Sequence, residues 1–128
     1  MNQIILEAKN ISKSFGKTQA LKNVDFYLNK AQIHGLLGEN GAGKSSLMNI
    51  LSGIYQPETG SIYIEGKKIK KLNPDLAARF GIGMVHQEFR LINNFSIKDN
   101  LTLSRSNIYK DNFEEAFEKY SDIFSLSA

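Results

Sequence analysis

"GLLGENGAGKSSLMNILSG", residues 35–53, passes from an apolar run through a glycine-rich turn into residues with helical spacing. Gly38, Gly43, Lys44 and Ser45 match the pattern G-x-x-x-x-G-K-[ST], with a strand-like run before it and a helix-like run after it. In that context the pattern is a phosphate cradle. Glycines at 38, 41 and 43 let the backbone wrap closely and turn successive N–H groups inward, and the helix that follows adds a dipole favouring an anion. Lys44 is placed to reach the β- and γ-phosphates of a nucleotide, and the Ser45 hydroxyl to take one place on Mg²⁺. A glycine-rich turn with an ordinary helix start would explain the glycines. It would not explain Lys followed by Ser at that offset.

Ile33 to Leu37 reads as a strand buried on both faces and ended by Gly38. From Lys44 the spacing of Leu47, Ile50 and Leu51 predicts a helix, with Gly53 as its C-terminal stop. Upstream, Gln3 to Ala8 reads as a short strand, and Leu21 to Leu28 as a half-buried strand with Val24, Phe26 and Leu28 on one face. "NKAQ" is the turn after it. Downstream, "QPETG" is a turn cluster, "SIYIEGKKI" a hairpin about Glu65 and Gly66, and "NPDLAARF" a short helix with proline in its first turn. "IGMV" is a further short strand. Ser96 with Asp99, and Asn112 with Glu115, predict helices opening near Ile97 and at Phe113 through capping boxes.

Composition sets the frame for these elements. The chain has 128 residues, with 41% hydrophobic and 23% charged, which suits an ordinary folded domain or part of a larger one. The net charge of +3 demands no acidic partner. Cysteine is absent from the sequence, which removes disulfides, thiol nucleophiles and thiolate metal ligands. The N-terminal apolar run is too short for a signal peptide, and no segment is apolar for long enough to span a bilayer. A membrane role is therefore expected to run through a partner.

The nucleotide is narrowed by the rest of the chain. The N-K-x-D segment with which small GTPases read guanine does not occur. "GENGAGKSS" resembles the phosphate loop of ATP-binding cassette (ABC) proteins, and "LSGIYQPETGSIYIEGKKI" resembles its continuation in that family. The resemblance runs from about Ile4 to about Leu103, and "GIGMVHQEFRLINNFSIKDNLTL" is similar to importers of simple sugars and of nucleosides. It implies an α/β fold: a P-loop NTPase core with an antiparallel β subdomain, truncated within the helical subdomain. Residues 1–128 are then the N-terminal portion of one nucleotide-binding domain.

The resemblance also implies roles. ATP is held by Phe15, Gly38, Asn40, Gly41, Ala42, Gly43, Lys44, Ser45 and Ser46, with no chemistry assigned to Asn40 beyond its place in the loop. Phe15 takes the place of an aromatic that stacks on adenine; from the residues alone, a Phe before a glycine is as readily core or turn packing. Gln87 takes the place of a mobile glutamine whose amide oxygen coordinates Mg²⁺ or orients water, so Lys44 and Gln87 form the expected catalytic pair and Ser45 and Gln87 the metal ligands. From the residues alone, Gln87 reads as a surface amide after a strand. The implied partners are transmembrane permease subunits and a second nucleotide-binding domain, at the cytoplasmic face of the membrane. Phe89, Leu91 and Phe95 are candidates for the groove that receives a permease helix, or they pack the helical subdomain.

Hydrolysis requires more. None of Asp25, Asp75, Asp99, Asp111 and Asp122 follows four apolar residues, so the acidic motif expected to anchor Mg²⁺ and supply a general base is not in the sequence. The L-S-G-G-Q signature is absent as well, "LSGI" at 51–54 being a continuation of the P-loop helix. Neither His34 nor His86 fits the family's switch histidine. These absences lead us to expect the first half of a cassette, one that binds nucleotide without efficient turnover. "KKIKK" at 67–71 keeps open a soluble cassette ATPase acting on nucleic acid or the ribosome, although lysines in a hairpin more commonly guard a sheet edge, and no nucleic acid is expected.

Overall fold

The computed structural model describes residues 3–86, 91–96, 99, 100, 103 and 118. They fall into two units, residues 1–84 and 85–128.

The first unit is built on a four-stranded antiparallel sheet in the order β2-β1-β3-β4. β1 (Ile4–Phe15) and β2 (Thr18–Asn29) form a long hairpin joined at Gly16. It is longer than the sequence pattern predicts, because bulges interrupt the alternation. Asn10 and Asn23 adopt positive φ values of 52° and 49° at these irregularities. Side chains hold them there: the Asn10 amide donates to Asp25 Oδ1 at 2.6 Å, and the Asn23 amide to Ser12 Oγ at 3.0 Å. A turn at Lys30 and Ala31 ends β2, as "NKAQ" predicts.

β3 (Thr59–Ile64) pairs with β1, and β4 (Lys67–Ile69) folds back on β3 at Glu65 and Gly66. Both turn residues have positive φ, 49° and 76°, the geometry that lets a two-residue turn match the twist of its strands. β4 forms one edge of the sheet, and Lys67, Lys68, Lys70 and Lys71 are all exposed around it. Charges so placed discourage pairing with another strand. On the solvent face, Lys9 forms an ion pair with Glu7 at 3.0 Å and lies 5.4 Å from the centre of the Tyr63 ring. The hydrogen bond to Glu7 raises the Lys9 ammonium above its ordinary pKa.

The other face carries the core: Leu6, Ala8, Ile11, Leu21, Ile62 and Ile64 pack with Leu47, Ile50 and Leu51 from α1 (Lys44–Leu51). Val24, Phe26 and Leu28 pack partly buried against this cluster, on the face that the alternation predicts. After α1 the Gly53 amide donates to Ile50 O at 3.0 Å with φ 79°, the left-handed stop expected at that position. A Cβ on Gly53 would lie 2.5 Å from the Asn73 carbonyl carbon, so the glycine also permits close packing against the start of α2 (Pro74–Arg79). Asn73 caps that helix, its Oδ1 accepting from the Leu76 amide at 2.8 Å. The Gln56 amide nitrogen donates to Leu72 O and fixes the same junction.

Two strand expectations are corrected. Residues 33–37 and 82–85 form no strand, and Ile33 and Leu37 are fully or almost fully exposed at 104% and 93%. Val85 is 95% exposed. The local pattern is apolar enough for buried strands, but among the described residues none pairs with them in parallel, and a strand without a ladder has no backbone partner. Near residues 33–37 the first unit has an open apolar groove lined by Leu6, Phe26, Leu28, Leu36, Met48 and Ile82.

In the second unit Ser96 Oγ accepts from the Asp99 amide at 3.1 Å and donates to Asp99 Oδ2 at 2.6 Å. The Ser96 hydroxyl thus makes the N-cap bond that the sequence predicts, with the Asp99 carboxylate bound to that hydroxyl, and Asp99 and Asn100 are helical. Asn100 reaches back to the preceding loop, accepting from the Ile92 amide and donating to the carbonyls of Ile92, Phe95 and Ser96. Of the helix expected from Phe113 only Glu118 is among the described residues, and it is helical; Gln87 and Phe89 lie outside them.

Candidate functional site

α1 begins at Lys44, and the residue before it is Gly43, in the left-handed region at φ 86°. Space as well as conformation calls for glycine here, since a Cβ would lie 2.5 Å from Ala20 O and 2.8 Å from Leu21 Cδ2. The helix start is thereby pressed against β2. Gly41 shares φ 86° but meets nothing within 4 Å, so its requirement is conformational alone. Between them the chain turns tightly, with the Ala42 amide donating to Glu39 O at 3.2 Å. Gly38 is tighter, a Cβ there lying 3.3 Å from Ala42 Cβ.

The start of α1 has no side-chain cap and no acidic residue in its first turn. Its first amides and its dipole therefore face outward without an internal carboxylate or hydroxyl to satisfy them. Lys44 Nζ donates to Gly38 O and to Glu39 O, both at 2.7 Å. An ammonium has three protons, so two fix it above the loop and one remains for an anion. Ser45 and Asn40 are exposed and Ser46 is half-buried. The contiguous set from Gly38 to Ser46 thus forms a positively polarised cradle, with its lysine held by two loop carbonyls.

A Mg²⁺ ion brought by phosphates requires few protein ligands, and the exposed Ser45 hydroxyl in the first helical turn suits one of them. No group of three or more His, Cys, Asp or Glu side chains is gathered among the described residues.

Phe15 stands at the end of β1, 41% exposed, in edge-to-face contact with Tyr55 at 5.2 Å between ring centres. Lys13 Nζ lies 5.5 Å from the centre of the Phe15 ring. Phe15 is therefore a partly open aromatic surface and not a core side chain. Three contributors escaped the sequence reading: the Glu39 carbonyl that anchors Lys44, and Tyr55 and Lys13 around Phe15. A backbone carbonyl leaves no trace in residue identity. Lys13 and Phe15, two apart on one strand, share a face by the period of a strand, and that signal was available.

A model of the ABC transporter family matches residues 21–126. The chain belongs to the ABC transporter family. Among curated ABC proteins it is 46% identical over 104 residues to a ribose import ATP-binding protein of Ruegeria sp. (strain TM1040), covering 81% of this chain and 20% of that protein. It is 50% identical over 101 residues to the ribose import ATP-binding protein of Caldanaerobacter subterraneus, covering 79% and 20%. To the guanosine import ATP-binding protein of Bacillus subtilis it is 46% identical over 103 residues, covering 80% and 20%. The chain thus spans about one fifth of the length of these relatives.

Among solved structures, a nucleotide-free ATP-binding cassette from an ABC transporter matches 96% of this chain and 55% of its own, with TM-score 0.73 and 25% identity. A bacterial ABC transporter cassette solved as a dimer matches 77% of this chain and 46% of its own, with TM-score 0.66 and 29% identity. The ABC ATPase fold expected from the resemblance is therefore the fold of its neighbours, with the antiparallel subdomain and P-loop helix as the parts seen here. No helix among the described residues is long and apolar enough to cross a membrane.

Proposed function

We propose that the chain is the ATP-binding part of an import ATPase, whose whole protein couples ATP hydrolysis to uptake of a small solute, a simple sugar before a nucleoside. One observation carries the reading: the uncapped start of α1 behind two left-handed glycines, with the Lys44 ammonium fixed by the carbonyls of Gly38 and Glu39. An anion with several oxygens satisfies these donors together, which a triphosphate does and a single carboxylate does not. Gly38, Asn40, Gly41, Ala42, Gly43, Lys44, Ser45 and Ser46 wrap the phosphates, and Phe15 stacks on adenine. Ser45 and Gln87 hold Mg²⁺, which neutralises phosphate charge when bound. Lys44 and Gln87 act on the reacting phosphate and on water.

The names of the relatives support the solute class, two being ribose import proteins. The guanosine import relative, at comparable identity, favours a nucleoside as the second reading. Permease subunits and a second cassette complete the assembly at the cytoplasmic face of the membrane, a reading supported by the dimeric solved cassette. Leu91 and Phe95, 62% and 46% exposed, are offered with Phe89 to a permease helix. The nucleic-acid reading is weaker, since the lysines of 67–71 surround an edge strand; salt-dependent RNA binding would revive it.

Calorimetric titration with Mg²⁺-ATP and a phosphate-release assay test the reading on the 128-residue chain and on Lys44→Ala. Saturable binding is expected, weakened about tenfold or more in Lys44→Ala, the worth of a hydrogen bond to a charged group. Phosphate release should stay at background in both. Absence of nucleotide binding would refute the cradle, and Lys44-dependent turnover would refute the view that the hydrolytic residues lie outside this sequence.

A further inference from the structure

The segment after α1 joins the two parts of the proposed site. The Ile54 and Tyr55 amides both donate to Asn49 O, at 2.8 and 3.1 Å, so Tyr55 is carried by the last turn of the helix that starts at Lys44. Three residues on, Glu58 is fastened to β1: its amide donates to Ser12 O at 2.9 Å, and its Oε1 accepts from the Ser14 amide at 3.1 Å. Residues 54–58 are thus a strap between the end of α1 and the end of β1. The Tyr55 ring meets Phe15 edge-to-face, with an interplanar angle of 66°. Phe15 itself sits beside the Gly16 turn, and the Lys13 ammonium lies over its ring.

We infer that Tyr55 is a positioning residue for nucleotide binding, its ring bracing Phe15 so that the base platform is held in register with the phosphate cradle on the same helix. This rests on the proposed stacking of adenine on Phe15. The chemistry required of Tyr55 is its aromatic ring and not its hydroxyl. A flexible Phe15 would have to be ordered as the base arrives, and a braced one is ordered beforehand. The brace serves only ligands with a base, because the phosphate donors belong to the loop.

Binding of Mg²⁺-ATP and of Mg²⁺-tripolyphosphate, which has no base, separates these roles in the wild-type chain, Tyr55→Leu, Tyr55→Phe and Phe15→Leu. Tyr55→Leu should weaken ATP roughly two- to tenfold, the range of an aromatic pair, and leave tripolyphosphate unchanged. Tyr55→Phe should bind ATP as wild type does. Undiminished tripolyphosphate binding also certifies that each variant is folded at the cradle. The inference is overturned if Tyr55→Leu leaves ATP affinity unaltered or weakens both ligands equally. Phe15→Leu should remove the preference for ATP over tripolyphosphate; if the preference survives, the stacking reading fails and the brace with it. Loss of preference in Phe15→Leu alone would sink the brace and leave the stacking intact.

Discussion

Gly41 and Gly43 share a backbone angle and differ in surroundings, which separates two reasons for glycine within one loop. Gly41→Ala adds only left-handed strain, worth about 1 kcal/mol. Gly43→Ala adds the collision with Ala20 O and the Leu21 side chain, and the total destabilisation should be about 2–4 kcal/mol. Thermal unfolding of the two variants should therefore show the larger fall for Gly43→Ala. Equal falls would mean that the helix start is not seated on β2. The sequence pattern asks for glycine at position 43 without saying why; the reason is a β2 backbone far away in the chain. Lys44 is similar. Its identity predicts a phosphate contact, whereas the two carbonyls that steady it are known only from the fold.

At the scale of elements, the parts read correctly are those closed by neighbours in sequence. α1 with its Gly53 stop, the Glu65–Gly66 hairpin, the Asn73 cap and the Ser96–Asp99 box all depend on groups within a few residues of one another. Removing one such group gives a bounded effect. Asn73→Ala should cost about 1 kcal/mol through loss of the α2 cap, visible as a lower unfolding midpoint with no change in ATP affinity. A matching loss of ATP affinity would place α2 under the phosphate loop, contrary to its contacts with the far end of α1. The β1–β2 hairpin was legible only in part. Its bulges at Asn10 and Asn23 break the two-residue period on which a strand is recognised.

Across the whole molecule, the strongest conflict between sequence and structure lies in residues 33–37 and 82–85. Exposed Ile33, Leu37 and Val85 are side chains of a kind normally taken from water, and large exposed apolar surface promotes association. Sedimentation velocity of the 128-residue chain should show concentration-dependent self-association, reduced in the double variant Ile33→Thr, Leu37→Thr. A strictly monomeric wild type at high concentration would contradict this. The sequence by itself determined the phosphate loop, its helix, the local turns and caps, and a family resemblance that the family match supports, because each is written in short-range patterns of residue type. Tertiary structure alone decided which apolar runs become strands, why Gly43 must be glycine and which ring supports Phe15, because those outcomes depend on backbone and side-chain partners brought from distant parts of the chain.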